Sequence, residues 1–154
     1  MENRIQISPF YIIGVTKRTT NENDQGAQDI PELWNHFLSN QIIDKIPNKV
    51  DLAVYSMYTD YEKDYTKPYT TLIGCKVSSL ENIPIGMIGR QIEGGTYKKI
   101  TAKGNLTDGI VYNEWVSIWN SDLKRAYSAD FEIYGEKSRN PCDAEVNIFA
   151  AIQA

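Results

Sequence analysis

The chain spells the same run of elements twice, and that repetition restricts its architecture more than any single motif does. A β-branched, aromatic-rich run at residues 10–17 is followed by a polar stretch at 19–28 with loop composition. Asp29-Ile30-Pro31 then suits a helix start, with proline near the first helical position, and Leu33, Trp34, Phe37, Leu38 and Ile42 recur at helical spacing to about residue 43. Pro47-Asn48 ends that pattern, and strands are expected at 52–58 and 69–77 around a polar turn at 62–67. The second half repeats the order. A strand at 95–102 and a turn at Gly104-Asn105 precede a helix capped by Thr107 or Asp108, whose apolar stripe is Ile110, Val111, Trp115, Ile118 and Trp119. Strands at 126–135 and 145–152 complete it, and Trp34 and Trp115 hold matching mid-helix places.

Two β-α-β-β units, at about 5–78 and 84–154, predict an α+β fold with pseudo-two-fold symmetry. Residues 78–84 read as a linker, with Ile83-Pro84 and Met87 leading into the second unit. The merged antiparallel sheet would carry both main helices on one face and leave the other open and curved, with a central groove where the units meet. At 154 residues the chain fits one such domain and leaves little room for a separate catalytic or DNA-binding unit.

Charge and composition exclude several classes. A net charge of -4 is the wrong sign for a surface built for nucleic acid, and Lys98, Lys99 and Lys103 are too few to reverse it; they read as a solvated strand face. No apolar stretch reaches membrane-spanning length, and Met1-Glu2-Asn3-Arg4 does not open a secretory signal, so a cytoplasmic location is expected, where the Asn105-Leu106-Thr107 sequon would go unused. Cys75 and Cys142 lack metal-ligand or CxxC spacing and read as free thiols. His36 has no ligating neighbours in pattern and reads as a surface or cap-side residue, so no metal is expected. Gly94-Gly95 lacks the lysine and helix start of a phosphate loop and reads as a hairpin or the turn before a strand, so no cofactor is expected.

The chemistry concentrates at Phe131-Glu132-Ile133-Tyr134. On a period of two, Glu132 leaves the side of Phe131 and Ile133 and shares a face with Asp130 and Tyr134, which would turn an acid and an aromatic outward together. On the strand pattern alone Glu132 reads as a solvated carboxylate. Among aromatic rings it would attract cations, because charge pairing and the negative ring faces act on the same ligand. Tyr55 and Tyr58 fall on opposite faces of their strand, so one of them is expected in the groove, and Tyr55 is favoured. Trp34 and Trp115 suit both core packing and a ligand wall; Trp119 is assigned to the core.

The segments VYSMYTDYEKDYTKPYTTLIGCKV (54–77), IPIGM (83–87), EWVSIW (114–119) and DFEIYGE (130–136), in that order, resemble the GyrI-like effector-binding domain of AraC-type bacterial transcription activators, and most of all its stand-alone, integron-associated branch. The likeness runs from Phe10 to Gln153, and its specificity lies in order and spacing rather than in any one motif. It implies a pocket in which Glu132 meets a cationic or aromatic small molecule and Trp34, Tyr55, Trp115 and Tyr134 supply the walls. It also implies binding without direct contact to nucleic acid, since residues before Phe10 are too few for a helix-turn-helix. Because some GyrI-like proteins hydrolyse cyclopropane-containing compounds, a second reading makes Glu132 a general base and a tyrosine hydroxyl the donor to the leaving atom. A third is an interaction module for a separate regulator; a protein partner or a second copy of the chain stays open.

Overall fold

The computed structural model describes residues 4–153. They form eight strands, β1 (Arg4–Ile7), β2 (Phe10–Thr19), β3 (Val54–Thr59), β4 (Tyr69–Val77), β5 (Ile88–Ile92), β6 (Gly95–Gly104), β7 (Ala129–Tyr134) and β8 (Ala144–Ala151). The helices are α1 (Gln25–Ser39), the short α2 (Ile42–Lys45) and α3 (Ile110–Trp119). All strands join one antiparallel sheet in the order β1-β6-β8-β7-β3-β4-β2-β5. The order reads symmetrically outward from the β7–β3 seam. Within each half the strand after the helix lies innermost, and each short strand preceding a half pairs with the other half: β1 with β6, and β5 with β2. The two halves are therefore stitched together at both edges as well as at the seam.

Both faces of the sheet are covered. On one, α1 packs Leu33 and Phe37 against Ile13, Val15, Ile73 and Cys75, while α3 packs Trp115 and Ile118 against Ala102, Ile148 and Ala150. The other face carries no helix, yet it is not open as the sequence suggested: Phe10, Tyr55, Tyr97, Phe131 and Phe149 form a core of their own there. Phe10 lies on β2 and Phe131 on β7, three strands apart in the sheet, which is ~14 Å if the sheet were flat. Their ring centroids are 5.6 Å apart, so the sheet curls until its helix-free face closes on itself. A glycine pair permits the bend. Gly14 and Gly74 face each other in register, and a Cβ on either would stand 2.1–2.2 Å from the opposite carbonyl oxygen.

Several local expectations are corrected. Helix α1 begins at Gln25, inside the stretch read as loop, because Gly26 N–H donates to the Thr20 carbonyl and Asp29 accepts from both Thr19 and Gln25, which winds the earlier turn into the helix. Pro31 consequently sits within the helix rather than at its start, and the carbonyl of Ala27 loses its helical N–H partner. The helix stops at Ser39 because Gln41 adopts a left-handed backbone. Neither Thr107 nor Asp108 caps α3: they belong to a 3-10 turn capped by Asn105, and Gly109 in the left-handed region leads into the helix. Of the two readings of Gly94-Gly95, the hairpin is excluded, since β5 is one edge of the sheet and β6 lies next to the opposite edge strand, β1; the pair is the turn into β6.

Candidate functional site

Between the two helices lies a cavity of about 400 Å³ whose floor is the β7–β3 seam. Ile30, Pro31 and Trp34 of α1 form one wall, and Val111, Trp115 and Trp119 of α3 the other. The β3–β4 loop closes an end with Tyr61 and Tyr65, beside Asn21 and Asp24 from the segment before α1. Hydrogen bonds from Asn21 to the Tyr65 carbonyl and from the Tyr69 hydroxyl to Asn21 tie that loop and segment together.

Glu132 sits at the centre of the floor, opposite Ser56 across the seam, and only 2% of it is exposed. The pattern argument that turned it away from the core is corrected: helices cover that face, so leaving the side of Phe131 means entering the cavity floor and not solvent. Its carboxylate accepts three hydrogen bonds, from Trp115 Nε1 at 2.6 Å and the Tyr58 hydroxyl at 2.8 Å on Oε2, and from the Tyr134 hydroxyl at 2.6 Å on Oε1. Burial raises its pKa above the usual carboxylate range, and the three donors, which favour the ionised form, offset only part of that. Burial and the neighbouring Glu132 charge push the Tyr134 and Tyr58 hydroxyls up in turn, so both stay protonated donors.

Asp130, two residues earlier on the same face, is fully buried as well, but it is neutralised. Arg125 Nη2 donates to it at 2.6 Å, Tyr61 at 2.6 Å and Ala151 N–H at 2.7 Å. Desolvation still raises the Asp130 pKa, with Arg125 the strongest opposing influence. Glu132 has no Lys, Arg or His partner among the described residues. Two buried acids thus lie side by side, one with its counter-ion and one with neutral donors alone.

The structure brings four of the five residues expected from sequence into this cavity: Glu132, Trp34, Trp115 and Tyr134. Tyr55 is the exception. It points to the helix-free face, 7% exposed, stacked on Phe131 with centroids 5.7 Å apart. Tyr58 takes its place, edge-on to Trp115 and to Tyr69. The parity rule separating the two tyrosines holds, but the cross-strand register that decides between them pairs Ser56 with Glu132 and so puts even-numbered β3 residues on the cavity side. Trp119, assigned to the core, lines the cavity and stacks face to face on Tyr65, with centroids 5.0 Å apart and planes 3° from parallel. Tyr61, Tyr65 and Tyr69 were not foreseen; the tyrosine-rich run from 55 to 69 was the available signal. His36 is exposed, Cys75 is buried and Cys142 exposed, both as free thiols.

The profile of the Cass2 family, described as integron-associated effector binding protein, matches residues 5–152. A crystal structure of an integron cassette protein from the mobile metagenome of Vibrio cholerae superposes with a TM-score of 0.76 at 28% identity, covering 98% of this chain and 95% of that one. The structure of SAV2435 bound to tetraphenylphosphonium superposes with a TM-score of 0.81 at 12% identity over 100% of this chain and 94% of that one, which shows a shared fold. Among curated proteins, a proposed transcriptional regulator of Bacillus subtilis strain 168, YobU, is 25% identical over 144 residues, 91% of this chain and 90% of its own length. The fold is the GyrI-like α+β arrangement of a curled antiparallel sheet with few helices.

Proposed function

This chain belongs to the Cass2 family of integron-associated effector-binding proteins and is thereby a small-molecule-binding protein, and on that footing we propose that its ligands are bulky aromatic or lipophilic cations held over Glu132. One observation carries the reading: a buried carboxylate, surrounded by rings, that has no ion-pair partner among the described residues. Such a charge is costly to bury uncompensated, and a cation entering the cavity relieves that cost while the rings of Trp34, Trp115 and Tyr58 attract it in parallel. The cavity, about 400 Å³, has the size of a small-molecule site. An acid that already accepts three hydrogen bonds is better arranged as a fixed negative charge than as a base for water, which favours binding over hydrolysis. Aromatic walls tolerate many ring shapes and one fixed charge selects the sign, so the same site suits sensing or sequestration of several related compounds.

The probe of choice is tetraphenylphosphonium, the ligand of SAV2435, which has the same fold. Thermal shift and calorimetry should show stabilisation by this cation and none by neutral triphenylphosphine oxide. Glu132→Gln should weaken the cation by at least about tenfold, since the contact is desolvated. Equal binding of the neutral compound, or undiminished affinity in the variant, would sink the proposal.

A further inference from the structure

A second hollow, of about 660 Å³, adjoins the first and shares Trp34 and Tyr134 with it. Those two rings meet edge to face with centroids 5.0 Å apart, so a single aromatic pair stands between the two spaces. Beyond it, Ala53 and Val54 at the start of β3 offer an apolar floor, and Asp51, Glu136 and Arg139 stand exposed around the rim. None of these three makes an ion pair within the described residues. Asp51 accepts the Ala53 N–H at 3.0 Å, which fixes the turn without neutralising its charge. Two carboxylates against one guanidinium leave the rim net negative. Residues 132 to 136 advance the chain by at most about 13 Å, so the floor acid and the rim lie within reach of one extended molecule.

We infer that this annex receives the arm of two-headed ligands: an aromatic cation rests over Glu132, an apolar spacer passes Trp34 and lies along Ala53 and Val54, and a second cationic group ends at Asp51 and Glu136. The inference rests on the cation-receptor reading of the first cavity and adds the ligand's length and second charge to it.

Three compounds sharing a triphenylphosphonium head test it by calorimetry: one with a methyl group, one with a decyl arm, and one with a decyl arm ending in an ammonium. They are compared on the wild-type chain and on Asp51→Asn/Glu136→Gln, whose positions are exposed and whose new side chains keep an acceptor for the Ala53 N–H. The ammonium-ended compound should bind roughly three- to tenfold tighter than the decyl compound, as expected for contacts between partly hydrated charges. That gain should vanish in the double variant while the methyl compound binds both proteins alike. Equal affinity of the two long compounds for the wild type, or a double variant that weakens all three equally, would overturn the annex and leave the first cavity standing. Failure of the methyl compound together with both long ones would remove the cation-receptor reading and the annex with it.

Discussion

Glu132 and Asp130 show how one strand face gives two buried carboxylates different partners. Asp130 is tied to Arg125, whereas Glu132 is tied only to neutral donors and has no ion-pair partner among the described residues. Because burial raises the Glu132 pKa, the unliganded protein is penalised when that group ionises: stability unaffected below the usual glutamate range falls as pH rises from there to the elevated folded value. A bound cation favours the ionised form, so affinity should strengthen as pH rises through that elevated value, with proton uptake by the buffer on binding near it. Calorimetry in buffers of different ionisation enthalpy measures this directly, and a flat profile would separate the ligand from Glu132. Tyr134→Phe deletes the donor to Oε1 at a cost of about 1 kcal/mol in stability, and it should move the midpoint of the pH profile upward, since one of the bonds favouring the carboxylate is gone. An unmoved midpoint would reduce Tyr134 to a packing residue.

At the scale of elements, the cavity depends on how the β3–β4 loop is held against α3. Arg90 pairs with Asp60 at 2.5 Å and Arg18 donates to the Asp60 carbonyl, fixing the start of the loop, while Tyr65 lays its ring flat on Trp119. That stack should couple the two side chains by about 1 kcal/mol in a double-mutant cycle of Tyr65→Ala and Trp119→Ala, read by chemical denaturation. Strict additivity would mean that the loop is held by its hydrogen bonds and ion pair without help from the stack. None of this was legible in the sequence, where the loop appeared only as a polar turn and Trp119 as core. Periodicity reports which residues share a face of one element, but not which element lies opposite. The same limit explains Tyr55: alternation split it from Tyr58, and only the register against β7 says which one joins Glu132. By contrast β4 could be read to the residue as 69–77, because a long apolar strand flanked by polar turns carries its own boundaries. The edge strands β1 and β5, four and five residues long, are too short to show a pattern, and their pairing with the opposite half is a tertiary fact.

For the molecule as a whole, the order of elements sufficed to foresee a merged antiparallel sheet with its helices on one face, but not the curl that fills the other. Curling changes how each face is filled. The side without helices closes into an aromatic core, and the cavity is left where α1 and α3 stand apart over the seam. The bend requires β2 and β4 to approach closely at Gly14 and Gly74, where no side chain fits. Gly74→Ala would put a methyl group 2.1 Å from the Ile13 carbonyl oxygen, and since that neighbour is backbone, the strands themselves must move. The cost should reach about 3 kcal/mol, at the upper end of overpacking, or roughly a 6–12 °C fall in Tm for a chain of this size. Gly109→Ala provides the contrast, because Gly109 has a φ of +70° and open space around its Cβ position: it pays only for the left-handed backbone, about 1 kcal/mol. If the two substitutions cost the same, close approach of the strands is not what sets the curl. If Gly74→Ala costs more and also weakens tetraphenylphosphonium, then the bend in the sheet and the spacing of the two helices over Glu132 are one mechanical feature.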